Sequence, residues 1–264
     1  MQQHFCYLLF ITKILRFVHN NACEAGRRAR RDILFPTGCQ SLLICVKMFI
    51  SWDFCIPQQE WSDSMDVKDY SMGLVKYPFW FSEERKIIEL LAYGMSLTDI
   101  KKKNQAENLF GAPSALRRDQ IFNHLSSRIS AMEGPFVSLF LKEDVAGQRL
   151  LVLASIMNWD RMFFEFVYYV VREKMITGLH ELTEKDFGMF FRDVQTKSER
   201  AAKWQEKTLR RMAGAYRTFL SEGGLLEGAA GKKTIRKVFV DPDIEEYLDG
   251  NGMTAIRKAL EGER

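Results

Sequence analysis

Residues 145–176 read VAGQRLLVLASIMNWDRMFFEFVYYVVREKMI, the most apolar run of the chain. Apolar side chains surround any helix drawn through it, so the 3.6-residue period is blurred, as in a helix buried on all sides. The run is long enough for a membrane span, but Arg149, Asp160, Arg161 and Glu165 interrupt it, and charges inside a span are costly. The stretch is therefore predicted to form two core helices, broken near Asn158 to Asp160, around which the rest of the chain packs.

Working outward, the flanks carry helix signals. Ser82 precedes an acidic first turn (Glu83, Glu84), with Ile87, Ile88 and Leu91 on one face and Gly94 as the stop. Ser96 with Asp99 predicts a capped short helix, and Pro113 with Ser114 opens a third, in which Ile121, Phe122, Leu125, Ile129 and Met132 share a face. Arg117, His124 and Arg128 fall within roughly 40° of one another and are assigned to the outward side of that helix. Thr183 and Asp186 predict a capping box before Phe187, Phe190 and Phe191. From Ser198 to about Leu220 the pattern is strongly amphipathic: Leu209, Met212, Ala213, Tyr216, Phe219 and Leu220 lie opposite Arg200, Lys203, Lys207, Arg210 and Arg217. Gly223 and Gly224 end this helix, LLE (225–227) pairs with TIRKVFV (234–240) as a short hairpin, and Pro242 starts a helical segment to about 261. The expected fold is mainly α, with two helical lobes (65–134 and 135–264) of helix-turn-helix or winged-helix character and one small β-hairpin near the C-terminus.

Residues 1–64 differ in character. All the cysteines lie there (Cys6, Cys23, Cys39, Cys45, Cys55), without C-x-x-C spacing, and neither YLLFITKILRFV nor SLLICVKMFI reaches the ~18 apolar residues of a span. A secretory signal fits poorly, because Lys13 and Arg16 interrupt the apolar stretch. We expect translation to begin at Met65, the preceding segment being an over-extended start or a disordered arm. The remaining 65–264, free of cysteine, suits a cytoplasmic protein.

Catalytic patterns are missing from the sequence. LLEGAAGKKT (225–234) resembles a phosphate-cradling loop but has Leu226 where Gly is required and Lys233 where Ser or Thr is required. His124 and His180 have no carboxylate or thiol at metal-ligand spacing, and Glu165 among aromatics reads as half of an ion pair with Arg161 or Arg172. No enzymatic activity and no cofactor or metal is expected. The formal charge of +4 permits nucleic acid without demanding it. A cationic helix followed by a basic hairpin follows the order of a recognition helix and a wing, and aligned Lys and Arg can displace counterions from a phosphate backbone together. The expected contacts are Arg117, Arg128, Lys203, Lys207, Arg210, Lys232, Lys233, Arg236 and Lys237, with duplex DNA as partner and RNA as a variant. Trp80 and Trp204, beside apolar neighbours, are expected to pack rather than to stack on bases.

Several segments resemble the BrxA family of bacteriophage-exclusion (BREX) defence systems: YSMGLVKYPFWFSEERKIIELLAYGMS (70–96), ENLFGAPSALRRDQIFNHLSSRI (107–129), LASIMNWDRMFFEFVYYVVREK (153–174), LTEKDFGMFF (182–191), and SERAAKWQEKT (198–208) leading to FLSEGGLL (219–226). Their order and spacing carry the resemblance. It implies a small, mainly helical cytoplasmic protein without enzymatic activity that binds nucleic acid among other BREX components. Its helical faces also suit an adaptor that docks those components, such as a methyltransferase or ATPase.

Overall fold

The predicted break at 158–160 is real, and the reason is a cap. Asp160 leaves helical geometry, and its carboxylate accepts the Phe163 amide at 2.8 Å, ending one helix and starting the next. A computed structural model describes residues 69–228 and 233–264; the expectations for residues 1–64, for Met65 as the start and for Lys232 at the hairpin tip lie outside them. A 3-10 turn (Gly73–Lys76) leads into α1 (Phe81–Ala92), α2 (Leu97–Glu107) and α3 (Ala115–Ser130). Next come α4 (Phe136–Lys142) and α5 (Val145–Trp159), then α6 (Arg161–Phe166), a π-helical turn (Val167–Val171) and α7 (Arg172–Thr177), with right-handed helical backbone at both junctions. The chain continues through α8 (Glu184–Lys197), α9 (Glu199–Ala202), α10 (Glu206–Glu222), a hairpin of β1 (Leu226–Glu227) and β2 (Thr234–Ile235), α11 (Pro242–Gly250) and α12 (Thr254–Glu261). The protein is mainly α.

The opening stretch is the hub. Leu150 through Met157 are all buried, and α5 packs against α1, α3, α4, α10 and α12, which leaves solvent only its first turns and explains its blurred period. Around it Phe163, Phe166, Phe187, Phe190, Phe191, Tyr216 and Phe219 form a continuous aromatic cluster with ring centroids 4.7–6.0 Å apart, in the tilted, edge-on and offset geometries that aromatic quadrupoles favour. The turn at Gly134 (φ +65) sits where a lobe boundary was expected, yet α1 and α3 before it pack directly on α5 after it. All described residues fall in one compact unit with a single core.

Local signals held where side chains close to each other in sequence decide the geometry. Ser96 and Ser114 cap α2 and α3, and Thr183 and Asp186 form the capping box of α8. Elsewhere the structure differs. Trp80, left-handed at φ 55, and not Ser82, precedes α1. The helix expected over 198–220 is two, because Lys203 to Gln205 leave it between α9 and α10. The hairpin ladder is two residues per strand, Leu226 opposite Ile235 and Glu227 opposite Thr234, rather than extending to 240. Its outer strand bridges instead to the loop before α8, where the Ile235 amide donates to the His180 carbonyl at 2.6 Å. Helix α4 gave no recognised signal in the sequence, being a seven-residue apolar piece between Pro135 and Glu143.

Gly223, at the end of α10, lies against α5: a Cβ there would sit 2.6 Å from Leu153 Cδ2 and 3.0 Å from its Cβ. Since Leu153 is fully buried, it has no room to withdraw. We expect Gly223→Ala to destabilise by roughly 1–3 kcal/mol, seen as a lower urea midpoint with unchanged slope.

Candidate nucleic-acid interface

The stripe of Arg117, His124 and Arg128 on α3 is largely buried. Arg128 is 1 % exposed and ion-pairs with the buried Glu84 of α1, while its Nη2 donates to the Phe79 carbonyl at 3.2 Å. Burial pushes its guanidinium down to about 9, which leaves it charged at neutral pH. Ser155 Oγ donates to the other Glu84 oxygen at 3.2 Å, so the pair ties α1, α3 and α5 together. Arg128 is thus a core residue and not a phosphate contact. The physical reason is that Ile121 lies only about 40° from Arg117 around the helix, so the cationic stripe borders the apolar face rather than opposing it, and α3 is covered on both.

His124 is buried in a box of Tyr77, stacked at 4.0 Å, with Trp159 at 4.6 Å and Trp80 at 5.6 Å edge-on. Its Nε2 has no hydrogen-bond partner among the described residues, and burial lowers its pKa to about 4. The unfolded imidazole takes up a proton near pH 6.5 and the folded one only near 4, so stability is full above about 6.5 and falls as pH drops through that window. Between pH 7.5 and 4.5 we expect wild type to lose on the order of 3 kcal/mol more than His124→Phe, which keeps the ring and removes the titration. Equal losses in urea titrations of the two proteins at both pH values would remove this role. Arg117 lies half-buried over the Trp80 ring at 5.1 Å, a cation–π contact that leaves its edge at the surface.

Lys203, Lys207 and Arg210 are exposed along the turn and first turns of α10. Lys203 and Lys207 make no ion pair among the described residues, and Arg210 has only Glu206 one turn away at 3.3 Å, both side chains open to solvent. Arg217, expected in the same stripe, instead pairs with Glu184 at 2.7 Å and covers Phe187.

The hairpin cations divide. Lys233 Nζ donates to Ser221 Oγ, folding back on α10, and Arg236 stands 3.8 Å from Glu227 across the ladder with both side chains exposed. Lys237 is exposed. The structure therefore exposes Lys203 in the turn before α10 and Lys207 and Arg210 on its first turns, while Arg117 lies on α3 against Trp80 and Arg128 is buried. Sequence reasoning passed over Arg211 and Lys76, which with Arg200 line a notch between α9, α10 and the 3-10 turn. Arg211 had a signal, its place beside Arg210; Lys76 had none, since a turn 124 residues before Arg200 in sequence brings it there.

The arrangement defines a class: a helical protein with a buried central helix, a small hairpin and a basic rim, without a helix among the described residues long and apolar enough to cross a membrane. The chain belongs to the BrxA family, whose profile matches residues 68–252. It is 29% identical to "BREX protein BrxA" of Bacillus cereus (strain H3081.97) over 194 residues, 74% of this chain and 97% of that protein. Its fold is similar to that of an uncharacterized protein from Magnetospirillum magneticum solved by crystallography, with TM-score 0.64 and 16% identity, covering 74% of this chain and 100% of that one.

Proposed function

We propose that this chain is a non-enzymatic, cytoplasmic component of a BREX antiphage defence system that binds duplex DNA along its backbone. The BREX part is supported by family membership and by the name of the Bacillus cereus relative. The DNA part is carried by one observation: Lys203, Lys207 and Arg210 are exposed in succession along the turn before α10 and its first turns, and the nearest carboxylate to any of them, Glu206, is itself solvated. Three such cations meet a phosphate backbone without first breaking buried pairs, and the interaction reads charge rather than sequence.

The test is a duplex titration at several salt concentrations. Wild type is expected to show a steep negative dependence of log affinity on log salt, and replacing Lys203, Lys207 and Arg210 together by Ala is expected to flatten the slope by about 0.9 for each phosphate no longer neutralised. No duplex affinity at about 50 mM salt, or a slope the triple variant leaves unchanged, overturns the reading. A second reading, an adaptor for other BREX proteins, is favoured by Phe239, 83 % exposed and lining, with residues of α5, α10 and α11, a cleft of about 830 Å³. A stoichiometric partner that survives nuclease and high salt and is absent with Phe239→Ser would support it.

A further inference from the structure

A cleft of about 380 Å³ lies between the turn Gly73–Lys76 and α9–α10, lined by Ser71, Lys76, Arg200, Trp204, Thr208 and Arg211 among others. Its charged lining is entirely cationic. The two other clefts described mix signs: one sets Lys142 against Asp243 and Glu246, the larger one sets Lys142, Arg149 and Arg236 against Glu143, Asp144, Glu222, Asp241 and Asp243. The cations there include pairs already formed, Lys142 with Asp243 and Arg149 with Glu222. In the cationic cleft, Lys76, Arg200 and Arg211 are all exposed and none makes an ion pair among the described residues. Three converging unpaired cations repel one another, and an anion relieves that repulsion.

The other lining groups narrow the anion. Ser71 Oγ accepts the Gly73 amide at 3.0 Å, which leaves its proton free to donate, and Thr208 offers a second hydroxyl. Trp204 is half-buried in the turn between α9 and α10, and no described aromatic ring packs on it, unlike Trp80 and Trp159. The volume falls at the low end of small-ligand clefts, about 300–1,000 Å³, too small for a duplex and suited to one nucleotide. We propose that this notch takes a single unpaired nucleotide, its phosphate held by Lys76, Arg200 and Arg211 and its base against Trp204. Base–aromatic stacking is available to any base, so the site discriminates paired from unpaired rather than one sequence from another. The inference rests on the nucleic-acid reading for its biological source, the unpaired end of a bound duplex, while the same nucleoside-phosphate chemistry admits a free nucleotide.

The experiment uses the full chain, a blunt duplex, the same duplex with a short single-stranded overhang, and AMP. Wild type is expected to bind the overhang duplex about a hundredfold more tightly than the blunt one, and Arg211→Gln and Trp204→Leu are each expected to cut that ratio about tenfold, a charge-assisted contact and a stacked base each being worth that much. Arg211 is exposed, so its variant keeps the test decisive if Trp204→Leu unfolds. AMP binding that Arg211→Gln weakens about tenfold, without any duplex affinity, upholds the notch with free nucleotide as its source and removes the DNA reading. A ratio of one in wild type with no AMP binding overturns the notch, and blunt-duplex binding that persists leaves the DNA reading standing.

Discussion

Arg128→Ala is expected to lower stability by about 3–5 kcal/mol, a large part of the total for a domain of this size. Removing the guanidinium strands Glu84, 0 % exposed, with only the Ser155 hydroxyl and a carboxylate that has lost its counter-charge. The Phe79 carbonyl loses its Arg128 donor as well, which loosens the entry into α1. Replacing both partners, Glu84→Met with Arg128→Met, is expected to cost much less, because two apolar side chains of similar volume leave no uncompensated charge. Urea denaturation of the three proteins decides this: a single variant within about 1 kcal/mol of wild type would show that the pair does not bear the core.

The aromatic cluster gives the second large effect. Phe163 is fully buried, edge-on to Tyr216 at 4.9 Å and to Phe219 at 5.6 Å, so it couples α6 to α10. Phe163→Ala is expected to cost about 3–5 kcal/mol through forfeited transfer energy and the cavity left behind. Tyr216→Phe, one ring away, is expected to be neutral or stabilising. The Tyr216 hydroxyl is buried without a hydrogen-bond partner among the described residues, and burial holds its pKa well above the usual phenol range, so removing the oxygen removes an unmet desolvation cost. A loss above about 1 kcal/mol in Tyr216→Phe, read from thermal or urea unfolding, would mean the hydroxyl is satisfied after all.

Glu165 illustrates how a local pattern can name the partner. Its ion pair with Arg161, one turn earlier, was open between two arginines in the sequence, and the structure selects the i,i+4 neighbour at 2.7 Å. Tyr70, 95 residues away, donates to the other carboxylate oxygen at 2.8 Å, a contact that no spacing could reveal.

Reading along the chain settled what depends on neighbours within a turn or two. The all-round apolar character of 145–176 made it the core, the caps at Ser96, Ser114 and Thr183 placed helix starts, and the one-sided pattern from Ser198 to about Leu220 placed Lys203, Lys207 and Arg210 at the surface. Tertiary packing decided everything that depends on which face meets a second element. A helix with one apolar stripe has one buried side by its own sequence, but α3 carries a second, bordering stripe whose fate rests on whether another helix covers it, and α1 and α5 do. The pairing of Arg217 with Glu184, of Arg149 with Glu222 and of Lys233 with Ser221 likewise joins residues from separate elements, so which cations remain free could not be counted from the chain. The notch of Lys76, Arg200 and Arg211 exists for the same reason: like charges far apart in sequence met only when the 3-10 turn docked on α10.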